Sequence, residues 1–330
     1  MQAGGRHDVH PAAICNADVG CMYYPKAMEE GAVDRTDVAA LLALGAAVFI
    51  AIGDVIHQRS AHEVTDEPVG NLGLFTRLLR DGRWWLGSLV AAVGFALQAA
   101  ALGLGSVLLV QSLLVTSLLF ALPISAKAAH RKLTSWEWVW AVALAGSVAV
   151  IVTVGNPQAG HARASVGAWA GVAAVLGPVL VACFVGAQKL SGPVRAALLA
   201  VVSGSLWGVF AVLTKGVVDQ LGVGLWALVR TPELYAWALV AISGTAWQQS
   251  SFRAGSMAAS LPTMAVAEPV VAAGLGIVAL GETLQTDRAG WLALTISVMV
   301  MLVAILALAR GAAMESGDRQ SDPRPQPRSA

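Results

Sequence analysis

Nine apolar runs, each about long enough to cross a bilayer, organise this chain, at about 38–56, 84–104, 106–126, 136–155, 166–187, 195–215, 234–252, 257–280 and 290–309. A crossing takes about 20 residues, because a helix rises about 1.5 Å per residue through a hydrocarbon core about 30 Å thick. No water is available there to the backbone, so runs of this kind are driven to helix. With 57% of its 330 residues hydrophobic and only 12% charged, the chain leaves little for a separate soluble domain. A soluble enzyme is excluded. The expected fold is all-α, a polytopic membrane bundle of about nine transmembrane helices. The divisions between runs are thinnest around Gly103 and Gly105 and around Arg253.

The two ends read differently. Residues 1–36 are polar, carry His7, His10, Glu29, Glu30 and Asp34, and show no helical apolar face, so a disordered tail is expected there. Met28, directly before the acidic stretch, is an alternative start. Residues 311–330 are rich in Pro, Arg and Ser and read as a second disordered tail. The first apolar run follows an acidic stretch rather than a basic one, which makes it a retained span and not a cleaved signal. Cys15, Cys21 and Cys183 form neither a metal spacing nor a disulfide framework, so a structural role is expected for all three. A net charge of +1 leaves no nucleic-acid footprint.

Lys and Arg counts set the expected orientation. Placing the N-terminus outside puts 14 of these residues on the inner side and 7 on the outer side. The expectation is N-out and C-in, in the plasma membrane. Trp84, Trp85, Trp136, Trp138, Trp169, Trp226 and Trp291 cluster at the expected span ends, where indole rings sit at headgroup level.

Sliding the chain on itself by 150 residues aligns FALQAAALGLGSVLLVQSLLV (95–115) with TAWQQSSFRAGSMAASLPTMA (245–265). Gln98 falls on Gln248, Gly105 on Gly255 and Ser106 on Ser256. Runs 2–4 thereby match runs 7–9, and run 1 pairs more weakly with run 6 through Gly53 and Gly208. Mates lie an odd number of crossings apart, so they enter the membrane from opposite sides. The plan is a 4+1+4 inverted repeat, with halves at 37–155 and 195–310 and a connector at 156–194. Halves of opposite orientation can rock to expose a central site to one side and then the other.

The segment TAWQQSSFRAGSMAASLPTMAVAEPVVAAGLGIVALGETL (245–284), with its S-L-P turn, Glu268–Pro269 pair and Gly281–Glu282 pair, resembles the drug/metabolite transporter superfamily. LWGVFAVLTKGVVD (206–219) resembles that superfamily's Trp-Gly span followed by a Lys. The likeness extends over roughly 38–309, is most specific over 200–310, and is nearest to the EamA-like and nine-span NIPA-like branches. The first half departs from the pattern, with Ser112 opposite Pro262 and no counterpart of Glu268. The resemblance implies secondary transport of a small metabolite or ion, and its NIPA-like branch implies magnesium as one option.

Against this apolar background, polar groups inside spans are the functional candidates, since an ionisable group at a helix centre costs roughly 2.5–3.5 kcal/mol on insertion scales. Glu268 is the sharpest. It lies halfway along the eighth run before Pro269, and a proline in a span frees a backbone carbonyl one turn earlier. A carboxylate beside loosened backbone can bind a cation or take a proton; alternatively, a protonated Glu locks the bundle by bonding a neighbouring helix. Gln98 and Gln248 hold matching places in the repeat. Ser112 and Thr116 share a helical face with Gln111 beside them, and Ser260 and Thr263 are three apart. These either line a polar cavity or act as interhelical glue, worth about 0.6 kcal/mol each.

Asp54 and His57, three apart near the inner end of the first run, can pair or bind a cation, or Asp54 can pair with Arg59. Lys215, near the outer end of the sixth run, can attract an anion or balance Asp219, although snorkelling is the favoured reading. Arg253 reads as a positive-inside anchor. Pro123, Pro178 and Pro262 mark candidate kinks, and Gly204/Gly208 and Gly167/Gly171 are small-xxx-small pairs that let helices approach.

These features point to an integral membrane secondary transporter of a small metabolite or ion, coupled to a proton or cation. The alternatives are a NIPA-like magnesium or other divalent-cation transporter, and a nontransporting structural or lipid-handling protein. A dry, packed centre would favour the last of these, and a polar pocket would favour transport. No H-E-x-x-H, G-x-S-x-G or D-D-x-x-D pattern occurs, so no enzyme is expected, and no cofactor. The expected partners are the substrate, the bilayer and, in a homodimer, a second copy.

Overall fold

The computed structural model describes residues 15–16, 20–21, 35–64, 82–128, 132–254 and 257–321. The fold is all-α. Its helices are α1 (Arg35–Val64), α2 (Gly82–Leu104), α3 (Val107–Leu114), α4 (Ser117–Ala128), α5 (Ser135–Thr153), α6 (Val166–Lys189), α7 (Gly192–Val223), α8 (Leu225–Arg230), α9 (Pro232–Ala254), α10 (Met257–Leu280) and α11 (Arg288–Ser321). Strands β1 (Cys15–Asn16) and β2 (Gly20–Cys21) pair with each other, and β3 (Pro157–Gln158) pairs antiparallel with β4 (Thr283–Leu284).

Helix therefore occupies all nine apolar runs. Among the described residues, eight stretches are long and apolar enough to cross a membrane, with α3 and α4 together counting as one. The seventh run lies in α9, which has the length but carries Gln248, Gln249, Ser250, Ser251 and Arg253 toward its end. Most of the expected tail 1–36 lies outside the described residues. The tail expected from 311 begins inside α11, which continues to Ser321.

Local chemistry explains most boundaries. Ser106 caps α3 by accepting from Leu109 N–H at 3.1 Å, and Ser165 caps α6 by accepting from Ala168 N–H at 3.1 Å. Thr134 and Glu137 form a reciprocal capping box at the start of α5. Between α3 and α4 the ladder slips: Thr116 N–H and Thr116 Oγ1 both donate to Leu113 O. A hydroxyl competing for a backbone acceptor divides the span without a proline.

Packing depends on small residues. Ala39, Ala43, Ala46 and Ala47 are fully buried on α1 and join Leu102, Val107, Leu109 and Leu144 in the core. α1 lies closely against α2, where a side chain at Gly94 would meet Ile50 N at 3.0 Å. α7 crosses α10 as its Gly204/Gly208 pair predicts: a Cβ at Gly208 would stand 2.9 Å from both Glu268 O and Ala272 N. The Gly167/Gly171 pair behaves otherwise. Among the described residues, a Cβ at either would meet no other helix within 4 Å, and α6 contacts chiefly α7, leaving Val175, Val181 and Val185 exposed.

Candidate functional site

Two polar clusters lie within the bundle. The first centres on Lys215. α7 runs eight residues beyond the expected end of its run, so Lys215 lies inside the helix at 5% exposure. Snorkelling is excluded by that burial. Its ammonium donates to Gly105 O at 2.5 Å and lies 3.4 Å from Glu282 Oε1. The expected balance with Asp219 does not form; Asp219 instead accepts from Gln220 at 3.2 Å.

Glu282, 2% exposed, completes this cluster. Its two oxygens accept from Val107 N–H at 2.6 Å and Leu108 N–H at 2.9 Å, across 175 and 174 residues. A carboxylate at a helix N-terminus satisfies donors that have no partner within the helix and complements the positive end of its dipole. Gly281, at φ +67°, turns the chain after α10 so that Glu282 N–H reaches Gly276 O at 2.9 Å. Gly276 is required there, since a Cβ would stand 2.8 Å from Glu282 Oε2.

The second cluster centres on Glu268. Its main chain sits in the close crossing of α7 with α10, and its half-buried carboxylate has no hydrogen-bond partner among the described residues. Asp54 of α1 lies near enough to interact with it electrostatically. Asp54 itself is exposed at the surface of α1. The alternatives that pair Asp54 with His57 or Arg59 involve side chains outside the described set.

The remaining candidates divide. Gln111 is buried at 3% exposure, and its amide nitrogen has no partner. Ser112, Thr116 and Thr263 donate to carbonyls of their own turns, Leu108 O, Leu113 O and Ala259 O. Ser260 reaches Ser251 O on α9 at 3.3 Å, which is interhelical glue. Gln98 is buried on α2 and Gln248 is half-buried on α9. Pro262 and Pro269 are buried in α10, and Arg253 is exposed in the last turn of α9. A groove of about 500 Å³ runs along Trp136, Trp140, Val303, Leu306 and Arg310, and a smaller one along Leu119, Pro123 and Leu133. Neither is lined by Glu268, Gln98 or Gln248.

In the sequence, Glu282 stands out only within the segment that carries the family resemblance. Its position directly after a glycine that ends an apolar run offered a signal; its partners, more than 60 residues away, did not. The Arg163–Glu233 ion pair likewise joins residues that no spacing in the sequence relates.

Fold and clusters together define a helical polytopic membrane protein with buried charge between its first and second halves. An uncharacterized protein of Corynebacterium glutamicum is 35% identical over 284 residues, a match spanning 86% of this chain and 98% of that protein. The chain belongs to the family of that protein. No protein-family model and no solved structure matches it.

Proposed function

We propose that this protein is a secondary transporter of a small metabolite or ion, built as two inverted four-span halves, 37–155 and 195–310, around a connector span. The observation that carries this reading is Glu268. A midspan carboxylate kept only to lock the bundle would be hydrogen-bonded to a neighbouring helix, since that bond is how it would lock it. Glu268 instead has no such partner among the described residues and faces a second carboxylate, Asp54, from the other half. Interfaces between inverted halves are where substrates and coupling ions bind.

The packing supports the repeat. Gly94 of α2 rests on Phe49 and Ile50 of α1, and Gly244 of α9, 150 residues later, rests on Leu206 and Trp207 of α7. α5 and α11, the last spans of the two halves, pack on each other. α6, which has no mate, lies at the periphery. Burial of Lys215 removes one cation from the outer count and strengthens the N-out, C-in assignment.

Coupling is assigned to Glu268, which takes a proton or cation while Asp54 adjusts its affinity. The Asp54 approach also favours a second reading, transport of a divalent cation. Mg²⁺ is held by one or two carboxylates with several retained waters, and Glu268 has a second carboxylate, Asp54, within electrostatic reach. The two readings separate on compounds: metabolite levels are compared between cells lacking and overproducing the protein, and the compounds that change most are reconstituted with it in proteoliposomes. Saturable flux of one of them supports the metabolite reading. Magnesium-dependent thermal stabilisation, abolished in Glu268→Gln, supports the divalent one, and the absence of both overturns transport.

A further inference from the structure

The coupling site makes no use of the Lys215–Glu282 cluster, yet that cluster is the most thoroughly bonded polar group in the interior. It is also not alone at its end of the bundle. His161 N–H donates to Leu280 O at 2.7 Å, β3 pairs with β4, and Arg163 pairs with Glu233. Each tie joins the segment after α5 to α9, to the end of α10 or to the turn that follows. Glu282 and Lys215 add the tie to α3. This end of the bundle is closed by polar contacts that tie the connector and the start of α3 to the second half.

Three features distinguish the α3 tie from a fixed staple. Glu282's own turn is already satisfied through its N–H, so beyond its counter-ion Lys215 the carboxylate serves the amides of α3. Buried ion pairs are often less stabilising than apolar residues of the same volume, which makes this a poor choice for permanent adhesion. Its members, an ammonium, a carboxylate and a helix end, are all readily hydrated once they separate. In addition, α3 joins α4 at Val115–Thr116 through a slipped ladder, in which Thr116 N–H bonds Leu113 O and Leu118 N–H bonds Val115 O in place of acceptors one residue earlier, the weak point of an otherwise continuous span. One turn into α3, the amide nitrogen of Gln111 is buried without a partner, a donor that incoming water would satisfy.

We propose that Glu282 is a latch, with Lys215 as its counter-ion, that holds α3 against α10 and closes this end of the bundle, and that release lets α3 swing about Val115–Thr116. The latch takes its purpose from the alternating-access reading, but its test does not depend on transport. The full chain, with Cys15, Cys21 and Cys183 changed to Ser, receives Gln111→Cys as a reporter. A second version receives Leu144→Cys, at a fully buried position on α5. Both are purified in detergent and labelled with a charged maleimide.

In Glu282→Gln and in Lys215→Gln, labelling at position 111 rises by about tenfold or more while position 144 stays protected, the pattern of local opening. An unchanged rate at 111 overturns the latch. So does an equal rise at 144, or failure of both variants to fold, since either makes the cluster a staple. A protein that opens in this way but transports nothing refutes the transport reading alone, and unchanged labelling leaves Glu268 untouched.

Discussion

Lys215 shows how far a single residue's meaning depends on groups distant in sequence. Placed by its run of apolar neighbours, it reads as a cation near a membrane surface. Two further turns of α7, together with Glu282 sixty-seven residues away, make it a buried ion-paired donor instead. Removing one member of such a pair leaves the other buried without compensation, which costs about 3–5 kcal/mol. Lys215→Met is therefore expected to lower the thermal melting temperature in detergent markedly. Lys215→Met combined with Glu282→Gln is expected to recover part of the loss, and equal stability of the single and double variants would contradict the pairing. Glu268 differs in this respect. Its candidacy is legible from the sequence because a carboxylate at the centre of an apolar run is costly wherever its partners lie. Asp54 as its neighbour was not legible, since no spacing rule relates positions 54 and 268.

At the scale of elements, the apolar runs identified the helices because run length and backbone hydrogen bonding leave few alternatives in a bilayer. Boundaries were harder. The slip at Val115–Thr116 has no Pro or Gly to announce it and depends on a threonine hydroxyl choosing a backbone acceptor. Small-residue pairs look alike in sequence but not in packing, because only a neighbouring helix gives them a function. Gly208 has α10 against it, whereas a Cβ at Gly171 would meet nothing within 4 Å among the described residues. Gly208→Val is expected to cost about 1–3 kcal/mol by forcing α7 from α10. Gly171→Ala is expected to be neutral or to gain about 0.5–1 kcal/mol, since alanine orders the helix without a clash. Thermal unfolding of the two variants checks both signs, and destabilisation by Gly171→Ala would reveal an unseen neighbour for α6.

For the whole molecule, the proposed arrangement of two halves inserted in opposite senses draws on the charge count, on the matched packing of α1 on α2 with α7 on α9, and on the peripheral α6. A fluorescent protein fused after Ala330 is expected to fold and fluoresce, and alkaline phosphatase at the same site to be inactive; the opposite pair of results would invert the assigned orientation. The central claim is that the halves carry a solute past Glu268. It is tested most directly by measuring uptake of the compound identified by reconstitution into proteoliposomes under an imposed pH gradient, for the parent chain and for Glu268→Gln. The account predicts saturable, gradient-dependent uptake by the parent and a loss of about tenfold or more, together with the pH dependence, in the variant. Equal rates with the same pH dependence in both proteins would contradict it.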